Sequence, residues 1–186
     1  MRKAALLFLS TLLFQFIFSQ PGRTPANAED PGTGPFWLRY PSISPDGRTV
    51  LFCFKGDIYK ISADGGAAIP LTISESVEFS PVWSHDGKNI AFASNRYGNF
   101  DVFIMPAMGG EAKRLTYFSG GETPCSFSAN DKEVIFTANR QDLVSNVQFP
   151  NGGLSQLYSV SVDGGKASLF LPVPAIDASL VQMAKN

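Results

Sequence analysis

The sequence predicts an all-β chain of β-propeller blades. Each blade is a four-stranded antiparallel meander, and three complete blades of an unfinished propeller follow an export signal. Three observations carry this reading. One four-residue turn recurs as Ser44-Pro45-Asp46-Gly47, Ser84-His85-Asp86-Gly87 and Ser128-Ala129-Asn130-Asp131, first 40 and then 44 residues apart. A second turn recurs behind it as Asp64-Gly65-Gly66, Gly109-Gly110 and Asp163-Gly164-Gly165. Between the turns run short β-branched and aromatic stretches such as TVLFCF from Thr49 and NIAFAS from Asn89, and nothing beyond the leader keeps a 3.6-residue period. A meander repeated at this period is the mark of a propeller. A β-sandwich of hairpins has no reason to repeat its turns in register.

The leader, residues 1–28, reads as a secretory signal peptide with a short linker. Arg2 and Lys3 form a basic head, and Ala4 to Phe18 is apolar apart from Ser10, Thr11 and Gln15. That stretch is shorter than the about 20 residues of a membrane span and suits the core of an export signal. Cleavage is expected after Ser19 or Ala28, and residues 29–35 are a linker. The mature chain is therefore expected in the periplasm or outside the cell.

Blades are expected at about 36–74, 77–118 and 123–172, with a fourth beginning at 175–186. Aligning PSISPDGRTVLF, PVWSHDGKNIAF and CSFSANDKEVIF superposes Ser44, Ser84 and Ser128, and also Phe52, Phe92 and Phe136. In the first of these turns Pro45 presets φ, Asp46 accepts hydrogen bonds from the local backbone and Gly47 takes the positive φ. The Asp-Gly-Gly turns suit hairpins equally well. Strands apolar on both faces fit blades that pack face to face. Propellers close with four to eight blades, so a chain of three is expected to be the N-terminal piece of a longer protein or to assemble into a symmetric ring.

Composition narrows the function. The chain has 186 residues, 44% of them hydrophobic and 17% charged, with a formal net charge of −1. A packed domain follows, without the basic excess that nucleic acid or an anionic membrane surface requires. His85 is the single histidine. A serine triad would have to form inside a hairpin turn, where Ser44, Ser84 and Ser128 are already explained as turn residues. No spacing suits zinc or calcium, and the glycine pairs lead into strands rather than helices, so no metal, no cofactor and no catalytic residue is assigned. Cys53 reads as a small core filler. Cys125 occupies the place of Pro41 and Pro81, and the two cysteines are not expected to bridge.

One asymmetry points to a site. In a meander the first and third turns share one face, while the second turns and the linkers share the other. The second turn holds two residues in blade one (Lys55-Gly56), six in blade two (Asn95 to Phe100) and about 17 in blade three (Asn139 to Ser155). Long loops on a rigid scaffold often carry contacts. The face bearing Arg96, Tyr97, Arg140, Asp142 and Phe149 is thus the candidate contact face for peptide or a neighbouring domain. The plainer role for Arg96 and Arg140 is to pair with Asp101, Asp142 or loop carbonyls and hold the hairpins.

The repeats lack the Gly-His and Trp-Asp pairs of WD repeats and resemble those shared by TolB and tricorn-protease propellers. WLRYPSISPDGRTVLFCFKGDIYKISADGG, SNRYGNFDVFIMPAMGGEAKRLTYFSGGE and QFPNGGLSQLYSVSVDGG resemble the start of exported tricorn-like serine peptidases, over about Phe36 to Ala178. The resemblance implies a non-catalytic propeller that filters or channels unfolded peptides toward a downstream peptidase core, usually accompanied by a PDZ-like domain. The alternative is a TolB-like periplasmic interaction platform with no enzyme attached. A propeller joined to an α/β-hydrolase domain is a third and weaker reading.

Overall fold

The computed structural model describes residues 37–140 and 155–174. The leader, the linker, the opening of a fourth blade, Asp142 and Phe149 lie outside the described residues. Among the described residues, twelve strands form three four-stranded antiparallel sheets. The first sheet runs β1 (Arg39–Ile43), β2 (Thr49–Phe54), β3 (Asp57–Ser62), β4 (Ile69–Pro70). The second runs β5 (Glu78–Trp83), β6 (Asn89–Tyr97), β7 (Asn99–Pro106), β8 (Lys113–Arg114). The third runs β9 (Glu122–Phe127), β10 (Glu133–Ala138), β11 (Gln156–Ser161), β12 (Ser168–Pro174). Spatial order follows chain order in each sheet, so every sheet is a contiguous meander.

The two-residue alternation of a strand places a core on each side of the middle blade. Ile90, Phe92, Phe103 and Met105 pack toward blade one with Leu51, Cys53 and Ile58. Their neighbours Ala91, Val102 and Ile104 pack toward blade three with Phe127, Val134, Phe136 and Tyr158. Both faces of β6 and β7 are therefore buried, which is why these strands read as unbroken apolar runs. Each blade also carries one cross-strand aromatic pair at the same register: Phe52–Tyr59, Phe92–Phe103 and Phe136–Tyr158, with centroids 5.7, 5.9 and 5.9 Å apart.

The first turns share one circuit. The Ser44 hydroxyl donates to Asp46 Oδ1 at 2.6 Å and accepts from the Thr49 amide at 2.9 Å, while the Gly47 amide donates to the Ser44 carbonyl at 2.9 Å. Ser84 and Ser128 repeat this with Asp86, Asn89 and Gly87, and with Asn130, Glu133 and Asp131. The acceptor role shifts the acids. The Ser44 hydroxyl and then the Arg48 amide hold Asp46 below the usual carboxylate range, and the Lys88 amide and Ser84 hydroxyl bring Asp86 down to about 2. Cys53 is a free thiol, so no bridge joins it to Cys125, and burial pushes it up to about 12. The Cys125 thiol donates to the Thr123 carbonyl.

Asp131 departs from its glycine counterparts yet keeps their conformation, with φ 57° against 72° at Gly47 and 70° at Gly87. Its carboxylate compensates by accepting from the His85 amide at 2.8 Å and the Asp86 amide at 2.9 Å, and it meets His85 Nδ1 at 2.7 Å. His85 is thus an inter-blade strut. Asp131→Gly would relieve about 1 kcal/mol of left-handed strain but remove charge-assisted bonds worth about 1.5–3 kcal/mol each. The substitution is expected to lower stability by about 1–2 kcal/mol after allowance for solvent screening. Urea melts check it, and a gain in stability would mean that strain outweighs the strut.

Candidate functional site

In blades two and three, the face formed by the second turns and linkers carries arginines stacked on the aromatic pairs. In blade two the Arg96 guanidinium lies 4.6 Å from the Phe103 centroid and 5.9 Å from that of Phe92, and Arg96 Nε donates to Ser94 Oγ at 3.1 Å. Its Nη2 pairs with the buried Glu78 carboxylate. Blade three repeats the device. Arg140 lies 4.9, 5.1 and 5.5 Å from the rings of Phe118, Tyr158 and Phe136, and its Nε donates to Glu122 Oε1 at 2.9 Å. Glu122 is fully buried.

For Asp101 this replaces the pairing expected from sequence, while Asp142 lies outside the described residues. Asp101 is taken by Arg114, Nη2 to Oδ2 at 2.7 Å, and the glutamates at the start of each inner strand answer Arg96 and Arg140. The sequence does carry a signal for it: Glu78–Arg96 and Glu122–Arg140 are both 18 residues apart, a spacing that repeats between blades two and three. Glutamate is ordinarily a surface residue, so the sequence alone does not mark Glu78 and Glu122 as buried partners. Blade one has no such pair. The Arg39↔Cys53 register places Leu38 and Gly56 at the corresponding sites.

Burial raises Glu122 above its ordinary value of 4.5. Bonds from Thr116 and Arg140 and the Arg140 charge oppose the shift, and nearby Asp101 adds to it. Burial also raises Asp101, against the pull of Arg114 and Asn99. Such acids carry a cost while ionised, so their partners matter more than those of a surface pair.

Tyr97 is 64% exposed, stacks on Phe103 at 6.2 Å and meets the Arg114 guanidinium at 4.7 Å. Tyr117 closes the other side of that guanidinium at 4.5 Å. The six-residue loop read from Asn95 to Phe100 is instead a hairpin tip. Here β6 and β7 stay paired out to Tyr97↔Asn99, and Gly98, at φ 110°, makes the turn. The Gly98 amide closes it onto the Asn95 carbonyl at 2.9 Å. Lys55 and Gly56, at φ 53° and 94°, make the two-residue turn of blade one as read. Arg96, Tyr97 and Arg140 therefore lie on one face, but both arginines are committed to the scaffold.

On the opposite face, His85 borders a concavity of about 490 Å³ that also includes Ser44, Asp86, Lys60 and Met108. The Ser44 hydroxyl is already committed to Asp46, and His85 to Asp131. The arrangement builds turns, not a nucleophile.

The family model for the tricorn protease N-terminal β-propeller domain matches residues 35–185. Dipeptidyl-peptidase 5 of Porphyromonas gingivalis is 34% identical over 106 residues, which is 52% of this chain and 16% of that protein. Tricorn protease homolog 1 of Streptomyces coelicolor is 35% identical over 89 residues, 48% of this chain and 8% of that protein. The chain thus spans less than a fifth of either relative. The crystal structure of the tricorn protease superposes with a TM-score of 0.59 at 22% identity, covering 74% of this chain and 13% of that one.

Proposed function

The chain belongs to the family of tricorn protease N-terminal β-propeller domains, and from that premise we propose that it is the non-catalytic propeller segment of an exported tricorn-like serine peptidase. In this reading it receives extended peptides on its second-turn face and packs beside a peptidase core, accompanied by a PDZ-like domain, in the parent protein. The leader directs the parent to the periplasm or the exterior. The observation that carries the proposal is the commitment of the chain's own chemistry. Its histidine is held by Asp131, and Ser44, Ser84 and Ser128 close turns. Exposed Arg39, Lys55 and Tyr97 remain on the second-turn face, where a passing chain would find them. A propeller of this kind contributes position and selection, while nucleophile and base come from another domain.

The test uses the 186-residue chain with denatured, carboxymethylated casein and with native globular proteins. It is expected to retain the denatured chain in equilibrium binding, to ignore the native proteins, and to release no new amino termini. Turnover that disappears when a residue of this chain is changed would overturn the non-catalytic assignment. Equal retention of native and denatured protein would overturn selection for extended peptide.

A further inference from the structure

A cleft of about 680 Å³ opens between blades one and two on the second-turn face, within the about 300–1,000 Å³ common for ligand sites. Tyr40, Phe79 and Phe100 form a continuous aromatic wall, with Tyr40–Phe79 centroids 5.4 Å apart and Phe79–Phe100 edge to face at 4.8 Å. Trp37 and the Lys55-Gly56 turn also line it. Among the described residues, the lining comes from these two consecutive blades and from Trp37, just before the first.

Among the described residues, the charges around this cleft are unbalanced. Glu78 borders it, but its side chain is buried and its Oε1 pairs with Arg96, while Oε2 has no hydrogen-bond partner among the described residues. Arg39 and Lys55 also line it and are exposed. Arg39 lies 5.9 Å from the Trp37 ring centroid and Lys55 5.3 Å from that of Phe54. Among the described residues neither has a carboxylate within ion-pair distance. The cationic charge is particular to this groove, because the strand registers place Phe79 and Thr123 where blade one has Arg39.

We propose that this cleft binds an extended peptide by a carboxylate held between Arg39 and Lys55, with an adjoining apolar side chain against Tyr40, Phe79 and Phe100. This rests on the reading of the chain as a peptide-receiving propeller and names the peptides it selects. A guanidinium and an ammonium beside an apolar wall give charge-assisted bonding to a carboxylate and burial to its neighbour. The carboxylate belongs either to the peptide's C-terminus or to an Asp or Glu side chain.

Isothermal titration of the 186-residue chain with three peptides of equal length and apolar content decides it. One has a free C-terminus, one is amidated, and one is amidated with a single internal Asp. At least one carboxylate-bearing peptide is expected to bind about tenfold or more tightly than the neutral one, with the advantage shrinking as salt is added. Which peptide it is identifies the source of the carboxylate. Arg39→Gln with Lys55→Gln is expected to erase that preference at an unchanged melting temperature, and Arg39→Glu with Lys55→Glu to reverse it. Equal binding of all three peptides, or a preference that survives the glutamine pair, overturns the carboxylate site while leaving peptide reception intact. Failure of every peptide to bind overturns both.

Discussion

Arg140→Ala is expected to cost about 3–5 kcal/mol of folding stability, because it strands a buried carboxylate. Glu122 is fully buried, and Arg140 is its ion-pair partner. The same substitution opens the space over Phe118, Phe136 and Tyr158 that the guanidinium plane now covers. The sign of the pH dependence follows from the raised pKa of Glu122. The folded state holds this proton more tightly than the unfolded state, so the group's contribution is full below its ordinary value of 4.5. It is lost as pH rises through the raised value. Removing Arg140 takes away two influences that oppose the shift. The deficit of the variant should therefore be largest near neutrality and narrow toward pH 4.5. Paired urea melts at several pH values measure it, and a deficit constant with pH would show that lost packing, not the stranded charge, dominates. Replacing Glu122 and Arg140 together by Leu and Met should recover most of the loss, since an apolar pair leaves no charge unmatched.

The second large effect separates equivalent positions. Phe52, Phe92 and Phe136 occupy one site of the repeat and pair with Tyr59, Phe103 and Tyr158 at nearly equal distances. Phe136 is fully buried, being covered by blade two. Phe52 is only half-buried. Phe136→Ala should cost about 3–5 kcal/mol, whereas Phe52→Ala should cost about 1–2 kcal/mol, because a half-exposed ring gives up only part of its burial. Equal losses in denaturant melts would mean that the cross-strand pair, which the two sites share, matters more than the neighbouring blade.

The difference between these twin phenylalanines also marks where sequence reading works. The turns were legible to the residue, because the φ of Gly47 and Gly87 and the acceptor in Asp46 and Asp86 act within a few bonds of the chain. The doubly apolar strands were legible because both faces of a strand alternate along one segment. The placement of Arg96, Tyr97 and Arg140 on one side of the meanders was legible, because it follows from strand order alone. Their electrostatics were not, since each arginine is matched by a glutamate in another strand 18 residues earlier. The role of Asp131 was hidden for the same reason: its partner His85 is in another blade, 46 residues away.

The sequence by itself therefore determined the repeat, the meander and the two-sided core, because periodicity and turn chemistry are local properties. Only the tertiary structure decided which charges are committed and which are left to act. Glu78 and Glu122 draw Arg96 and Arg140 into the scaffold, while Arg39 and Lys55 stand beside an aromatic cleft with no carboxylate partner among the described residues. Pairing is settled by distance across strands and blades, and no local pattern encodes that distance.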